Sequence, residues 1–199
     1  MKRIIVLATV LMTCGSLRAA DVADAAKPRL STPSSATPFE KGTYSFTTSA
    51  SYISRIRTSV DELYNLDLAA GYFFWDNHSI NLELQGYWAD QEFDSDVYIG
   101  GIGVLARWHF YRHDKWSIFL DGGGSVTYAD QEFPQSPYGG TNFNLTGQVG
   151  LGATYQFRDD AYLIGGARYF HLSNGQIRGQ DDNPGFDGIQ YWGGVMWTW

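Results

Sequence analysis

Apolar and polar side chains alternate along most of the chain from Tyr44 to the C-terminus. The alternation is most regular at residues 143–157, where apolar side chains occupy most odd positions and polar side chains most even positions. A period of two predicts β-strands, because successive side chains of a strand point to opposite faces. Eight such segments can be recognised, at residues 44–52, 64–74, 80–88, 102–110, 116–128, 143–157, 161–173 and 187–199.

The polarity of the two faces favours a strand-built barrel in a membrane. Each segment reaches the roughly 9–11 residues that a tilted strand needs to cross a bilayer. An even number of strands can close without leaving unpaired backbone in lipid. A soluble β-sandwich or lipocalin-like barrel would bury its apolar face, whereas the polar face here carries Glu83, Arg107 and Asp121 and suits a narrow, filled lumen. We therefore expect an eight-stranded antiparallel transmembrane β-barrel of the bacterial outer membrane.

The N-terminal segment has the features of a secretory signal peptide. Lys2 and Arg3 precede an apolar run at residues 4–12, and small residues lead to a candidate cleavage point at position 20. The apolar run is too short to span a bilayer as a helix. Lipidation at Cys14 is the alternative to simple cleavage. We predict a signal peptide at residues 1–20, a flexible periplasmic leader at 21–41, rich in Pro, Ser and Thr, and the barrel at 42–199.

Charge and cysteine content exclude several classes of function. Without the predicted signal peptide the chain has 11 basic residues against 21 acidic ones and no cysteine. An acidic protein without a basic face is a poor candidate for binding nucleic acid. The absence of cysteine from the predicted mature chain excludes disulfides. No metal-ligand spacing or phosphate-binding glycine loop is present, so we expect no cofactor and no metal.

The lengths of the links between segments predict how the barrel is oriented. The links at residues 75–77, 112–114 and 158–160 are short, whereas those at 90–96, 129–141 and 174–186 are long. Outer-membrane barrels have short periplasmic turns and longer external loops. The seventh segment therefore runs outward and ends near the outer leaflet. The aromatic C-terminal residue Trp199 resembles the signal that the barrel-assembly machinery binds.

A candidate catalytic site lies at the end of the seventh segment. Arg168 is expected to point into the lumen, because exposing a charge to lipid costs about 2–4 kcal/mol. His171 and Ser173 then share the outward face, with Cα atoms roughly 6.5–7 Å apart. Asp187 has the outward parity on the eighth segment and can lie beside His171 across the hairpin. A hydroxyl, an imidazole and a carboxylate so arranged can form a nucleophilic triad.

The residues around this site could serve only a structural role in a turn, but their sequence resembles the signature of a known family. Ser-Asn-Gly after a strand is ordinary turn chemistry, and a histidine at an interface is amphipathic. However, Arg168–Gly175 (RYFHLSNG) and Asn183–Asp187 (NPGFD) resemble the signature of the outer-membrane lipid A 3-O-deacylases. The resemblance implies that Ser173 is the nucleophile, His171 the general base and Asp187 the acid. The resemblance is specific over residues 167–191, and over the rest of the chain it rests only on the predicted eight-stranded architecture.

The chain departs from the family pattern at the acid. The best-known members have glutamate where this chain has Asp187, and their loop before the acid is slightly shorter. Asp181 and Asp182 are therefore alternative candidates for the acid. For the oxyanion hole, the candidates are the side chains of Asn183 and Asn174, with a backbone N–H near residues 175–176 as a second donor.

The leading hypothesis is an esterase that removes an ester-linked acyl chain, at the 3-O position, from lipid A of lipopolysaccharide in the outer leaflet. A small outer-membrane barrel without catalysis, either adhesin-like or a narrow channel, is the main alternative. A phospholipase acting on glycerophospholipids is a third possibility. The sequence leaves open whether the barrel forms a homodimer.

Overall fold

The computed structural model describes residues 38–56, 62–90, 96–134, 140–177 and 185–199. Eight β-strands pair antiparallel in chain order, and the first pairs with the last to close a barrel, which confirms the predicted fold. Within those ranges, no helix is long and apolar enough to cross a membrane. The strands are β1 (Tyr44–Arg55), β2 (Glu62–Trp75), β3 (His78–Asp90), β4 (Val97–His113), β5 (Trp116–Phe133), β6 (Thr141–Arg158), β7 (Ala161–Ser173) and β8 (Phe186–Thr198).

The barrel wall is apolar on its outward face and largely polar on its inward face. On β3, for example, Ile80, Leu82 and Leu84 are exposed, whereas Asn81 and Glu83 are buried. A soluble sandwich or lipocalin-like barrel would bury these apolar side chains, so the structure contradicts that alternative. An outward apolar wall around a polar interior is the arrangement that lipid requires of a membrane barrel.

The middle of the lumen is filled by buried charged groups. Asp121 on β5 accepts hydrogen bonds from Arg107 on β4 and from Arg168 on β7. Glu83 on β3 accepts from Gln148 on β6, and the Arg168 guanidinium also reaches Gln148. Side chains of β3, β4, β5, β6 and β7 therefore meet at one level, and each buried charge in this group has a partner.

Apolar clusters close the lumen above and below this polar level. Phe170, Leu172 and Phe186 belong to the cluster at one end, which includes inward residues of β7 and β8. Phe119 and Tyr162 belong to the cluster at the opposite end. Apolar layers therefore pack where the strands approach either rim, alongside buried polar side chains such as His109 and Asn144.

Three short turns define one end of the barrel, which we call the turn end. They lie between β2 and β3, β4 and β5, and β6 and β7, and two contain a residue of positive φ, Asn77 (64°) and Asp114 (49°). Phe39, within the predicted leader, lies inside the barrel at this end and is 2% exposed. Its ring stacks on His109 with 4.0 Å between centroids, and its carbonyl accepts the Asn77 N–H at 2.7 Å. The ends of β3, β5 and β7 lie at the opposite end of the barrel, which we call the loop end.

Candidate active site

The ladder between β7 and β8 places the candidate residues side by side. Arg168 points into the lumen and is 3% exposed, so the neighbouring odd-numbered positions of β7 face outward. In the register, Arg168 lies opposite Gln190 and His171 lies directly opposite Asp187. The odd-numbered residues of β7 therefore face outward as predicted, and the antiparallel hairpin brings the carboxylate to the imidazole.

Two hydrogen bonds join the three candidate side chains in series. Asp187 Oδ1 lies 2.8 Å from His171 Nδ1, and His171 Nε2 lies 3.0 Å from Ser173 Oγ. Both distances are within the range of good hydrogen bonds. With the proton on Nδ1 donated to the carboxylate, Nε2 is the acceptor for the serine hydroxyl. The arrangement is therefore able to pass a proton from Ser173 to His171 while Asp187 stabilises the imidazolium.

The backbone after β7 turns sharply around the serine. Gly175 and Gln176 both adopt positive φ, at 62° and 63°. The Asn174 side-chain oxygen accepts the Gln176 N–H at 2.8 Å, which is an Asx turn. The Gly175 N–H points at Ser173 Oγ from 3.4 Å. Local turn chemistry thus fixes the serine at the end of the strand and directs a backbone donor toward its oxygen.

The surroundings of the imidazole are open on the side of β6. His171 and Asp187 side chains are 44% and 32% exposed, whereas Ser173 is 8% exposed. Gly147 on β6 lies opposite His171 in the ladder, and a Cβ atom at Gly147 would meet nothing within 4 Å. The lack of a side chain at Gly147 leaves the flank of the imidazole accessible from the outward face of the barrel.

The structure brings together some of the predicted site residues and not others. His171, Ser173 and Asp187 form the hydrogen-bonded series, and Asn174 is adjacent, buried, and engaged in the turn. Asn183 and the alternative acids Asp181 and Asp182 lie outside the described residues.

Tyr169 is also part of the site, which the sequence did not predict. Its hydroxyl donates a hydrogen bond to Asp187 Oδ1, the oxygen that also contacts His171 Nδ1. Tyr169 has the same outward parity on β7 as His171, and this parity is the only sequence feature that pointed to it as a site residue. Parity identifies the face of a side chain but does not show which group its hydroxyl reaches.

The other histidines do not form a second site. His78 and His113 lie at the turn end, and His109 is buried in the lumen with Nδ1 at 2.8 Å from Ser117 Oγ. Among the residues that the structure describes, no three His, Cys, Asp or Glu side chains are grouped so as to hold a metal ion.

Comparison with known proteins identifies the family and the cellular location. The lipid A 3-O-deacylase (PagL) family model matches residues 51–192, whereas no curated protein matches the chain. Neisserial surface protein A has a TM-score of 0.58 at 18% identity, covering 79% of this chain and 97% of that one. Outer Membrane Protein W of E. coli has a TM-score of 0.51 at 11% identity, covering 80% and 99%. At these identities the two structures share only the fold.

The family match and the fold place this barrel in the outer membrane. Family membership also implies hydrolase activity on lipid A. The matched segment makes up more than half of the sequence and includes His171, Ser173 and Asp187. The chain therefore belongs to the lipid A 3-O-deacylase (PagL) family.

Proposed function

We propose that this protein is an outer-membrane esterase that hydrolyses the acyl ester at position 3 of lipid A through a Ser173–His171–Asp187 triad. The observation that carries the proposal is the series of two hydrogen bonds, 2.8 and 3.0 Å long, on the outward face of β7 and β8. Placing three polar groups on a lipid-facing wall costs free energy, and such groups are usually retained for a function. Their position supports a substrate that is itself a lipid, presented from the same leaflet.

The reaction proceeds through an acyl-enzyme. Ser173 Oγ attacks the ester carbonyl carbon while its proton passes to His171 Nε2. The tetrahedral intermediate collapses, the bond between the carbonyl carbon and the sugar oxygen breaks, and His171 returns the proton to that oxygen. Water then attacks the acyl-enzyme with His171 again as base, which releases the fatty acid and restores the serine hydroxyl.

Donors near the serine are suited to stabilise the developing oxyanion. The Gly175 N–H, directed at Ser173 Oγ from 3.4 Å, is the backbone candidate within the described residues. The Gln176 N–H is already donated to Asn174 Oδ1, so it is the weaker choice. The side chains of Asn183 and Asn174 remain the proposed additional donors.

The interior of the barrel supports an enzyme over a channel. Arg107, Asp121 and Arg168 fill the lumen at mid-height, and each is at most 5% exposed. Apolar clusters pack above and below them. A filled lumen of this kind suits a rigid frame that carries a site on its outer wall.

The test is lipid A hydrolysis by the purified full-length protein. Wild-type protein is incubated with lipopolysaccharide in mixed micelles, and lipid A is analysed by tandem mass spectrometry. We expect loss of one acyl chain from position 3, and no loss with Ser173→Ala. His113→Asn, an exposed histidine at the turn end, is the matched control for His171→Asn and should retain full activity. Full activity of Ser173→Ala would overturn the mechanism, and release from glycerophospholipid vesicles alone would reassign the substrate.

The identity of the acid is tested separately. Asp187→Asn should lower turnover by about four orders of magnitude, as loss of the acid does in serine triads, because the imidazole loses the partner that fixes its tautomer. Asp181→Asn and Asp182→Asn should leave turnover unchanged. Both sets of variants are compared by the initial rate of fatty-acid release. If either of the latter variants caused the large loss and Asp187→Asn did not, the acid would have to be reassigned.

A further inference from the structure

We propose that Tyr169 is a positioning residue that holds the Asp187 carboxylate against His171. The inference rests on the proposed triad. Tyr169 precedes His171 by two residues on β7, so both side chains stand on the outward face. Its phenol donates a hydrogen bond to Asp187 Oδ1, the same oxygen that lies 2.8 Å from His171 Nδ1. The carboxylate is thus contacted from β7 by two donors.

The two contacts have different consequences for the aspartate. An ionised carboxylate is only an acceptor, so the tyrosine hydroxyl must be the donor in this bond. The Asp187 side chain is 32% exposed on the outer wall and rotates about two bonds. A single contact with the imidazole leaves that rotation weakly restrained, whereas a second donor on the same oxygen favours the orientation in which Oδ1 faces Nδ1. Tyr169 therefore acts on the reaction through Asp187 and not on the substrate.

The hydrogen bond also bears on the state of the imidazole. When Oδ1 faces Nδ1, the imidazole keeps its proton on Nδ1 and offers Nε2 to Ser173, 3.0 Å away. If the carboxylate turns away, the imidazole loses the partner that selects this tautomer. Removing the Tyr169 hydroxyl should therefore lower the rate at which Ser173 is activated, with little change in how substrate binds.

Tyr191 provides a matched control for an ordinary outward tyrosine. It lies on β8, opposite Ala167, and is 55% exposed, compared with 44% for Tyr169. Both residues present a phenol on the outer wall, but only Tyr169 donates to the triad. Any general effect of removing an interfacial hydroxyl should appear equally in Tyr191→Phe.

The experiment is a double-mutant cycle between Tyr169→Phe and Asp187→Asn in the full-length protein. Two measurements are made: steady-state kinetics with lipopolysaccharide, which give kcat and KM, and the rate at which a fluorophosphonate probe labels Ser173. We expect Tyr169→Phe to lower kcat and the labelling rate by about tenfold, the effect of losing one hydrogen bond to a charged group, with KM unchanged. Tyr191→Phe should change neither kcat nor the labelling rate. In the Asp187→Asn background, Tyr169→Phe should cause no further loss.

The outcomes separate this proposal from the proposed function. Equal losses in both backgrounds, or a rise in KM alone, would mean that Tyr169 acts directly on substrate and would overturn the positioning role. Unchanged labelling of Tyr169→Phe would overturn it as well. If wild-type protein released no fatty acid, yet its Ser173 were labelled faster than in Tyr169→Phe, the lipid A assignment would fail while the positioning role was supported.

Discussion

The buried carboxylate of Asp121 is predicted to make a large contribution to the stability of the barrel. Asp121 Oδ2 lies 2.7 Å from Arg168 Nη2 and 3.1 Å from Arg107 Nη2, and Oδ1 lies 3.0 Å from Arg168 Nε. The three side chains are 1–5% exposed. Asp121→Asn removes the negative charge that two buried guanidinium groups share, while keeping the shape of the side chain.

The magnitude follows from the cost of leaving a buried charge without its partner. Breaking a buried ion pair by removing one member costs about 3–5 kcal/mol. Two features reduce the loss here. Asparagine retains one acceptor oxygen, and the Arg168 and Arg107 cations lie 4.2 and 4.5 Å from the ring centroids of Trp192 and Phe119. Such cation–π contacts contribute up to about 2 kcal/mol when desolvated. We therefore expect Asp121→Asn to lower the free energy of unfolding by about 3 kcal/mol.

The assay is urea unfolding in lipid vesicles, followed by tryptophan fluorescence. Asp160→Asn is the matched control, because Asp160 also pairs with an arginine but lies at the surface of the turn end. The hydrogen bond from Arg158 lowers the pKa of Asp160, yet both groups are solvated, so this variant should unfold like wild type. A loss below about 1 kcal/mol for Asp121→Asn would refute the reasoning on buried charge.

A variant that removes the buried positive and negative charges together provides a second test of the cost of an unpaired buried charge. Glu83 lies at the same level of the lumen, so all four charged groups must be removed together. The variant replaces Asp121 with leucine, Glu83 with glutamine, and both Arg107 and Arg168 with methionine. Buried ion pairs can often be replaced by apolar residues of similar volume at little cost, so this variant should recover most of the lost stability. If this fourfold variant were less stable than Asp121→Asn, the network would contribute more to stability than charge compensation.

Two further predictions concern access to the site and closure of the lumen. Gly147→Leu should lower turnover of lipopolysaccharide at least tenfold without lowering stability, because cross-strand Cβ atoms lie about 5 Å apart and the new side chain would cover His171. Gly100→Leu, also outward with nothing within 4 Å of its Cβ position, should have no effect on fatty-acid release, and equal losses would contradict a local effect. Phe39→Ala should lower the free energy of unfolding by about 3 kcal/mol, the lower end of the range for removal of a buried phenylalanine. Lys41→Ala should leave the urea midpoint unchanged, and a similar midpoint for both variants would mean that Phe39 contributes nothing.

The arrangement of the proposed triad was predictable because it depends on features that the sequence specifies directly. The two-residue period of a strand sets which side chains share a face, and Arg168 fixes the inward parity of β7. An antiparallel hairpin then brings Asp187 opposite His171, as the register shows. The number of strands followed from the alternation, and the lengths of the links indicated the end of the barrel at which β7 terminates.

Features that depend on rotamers or on distant parts of the chain were not predictable. Tyr169 has the outward parity of β7, but parity does not reveal that its hydroxyl reaches Asp187. Phe39 lies in a segment whose composition is typical of a flexible leader. Its ring is nevertheless buried among residues that are distant in sequence, such as Phe119 and Tyr162. β5 continues to Phe133, beyond the last alternating residue recognised, because pairing with Thr141 resumes after an irregularity.

The two faces of β7 divide structural and chemical tasks between alternate residues. The inward even-numbered positions 168–172 join the charged network and the apolar cluster, so they determine where the strand lies. The outward odd-numbered positions 169–173 carry the phenol, the imidazole and the hydroxyl of the proposed site. A site built on a packed strand holds its groups more precisely than one built on a loop. Substitutions at the even positions should therefore reduce stability and activity together, whereas those at the odd positions should reduce turnover in a barrel that remains folded.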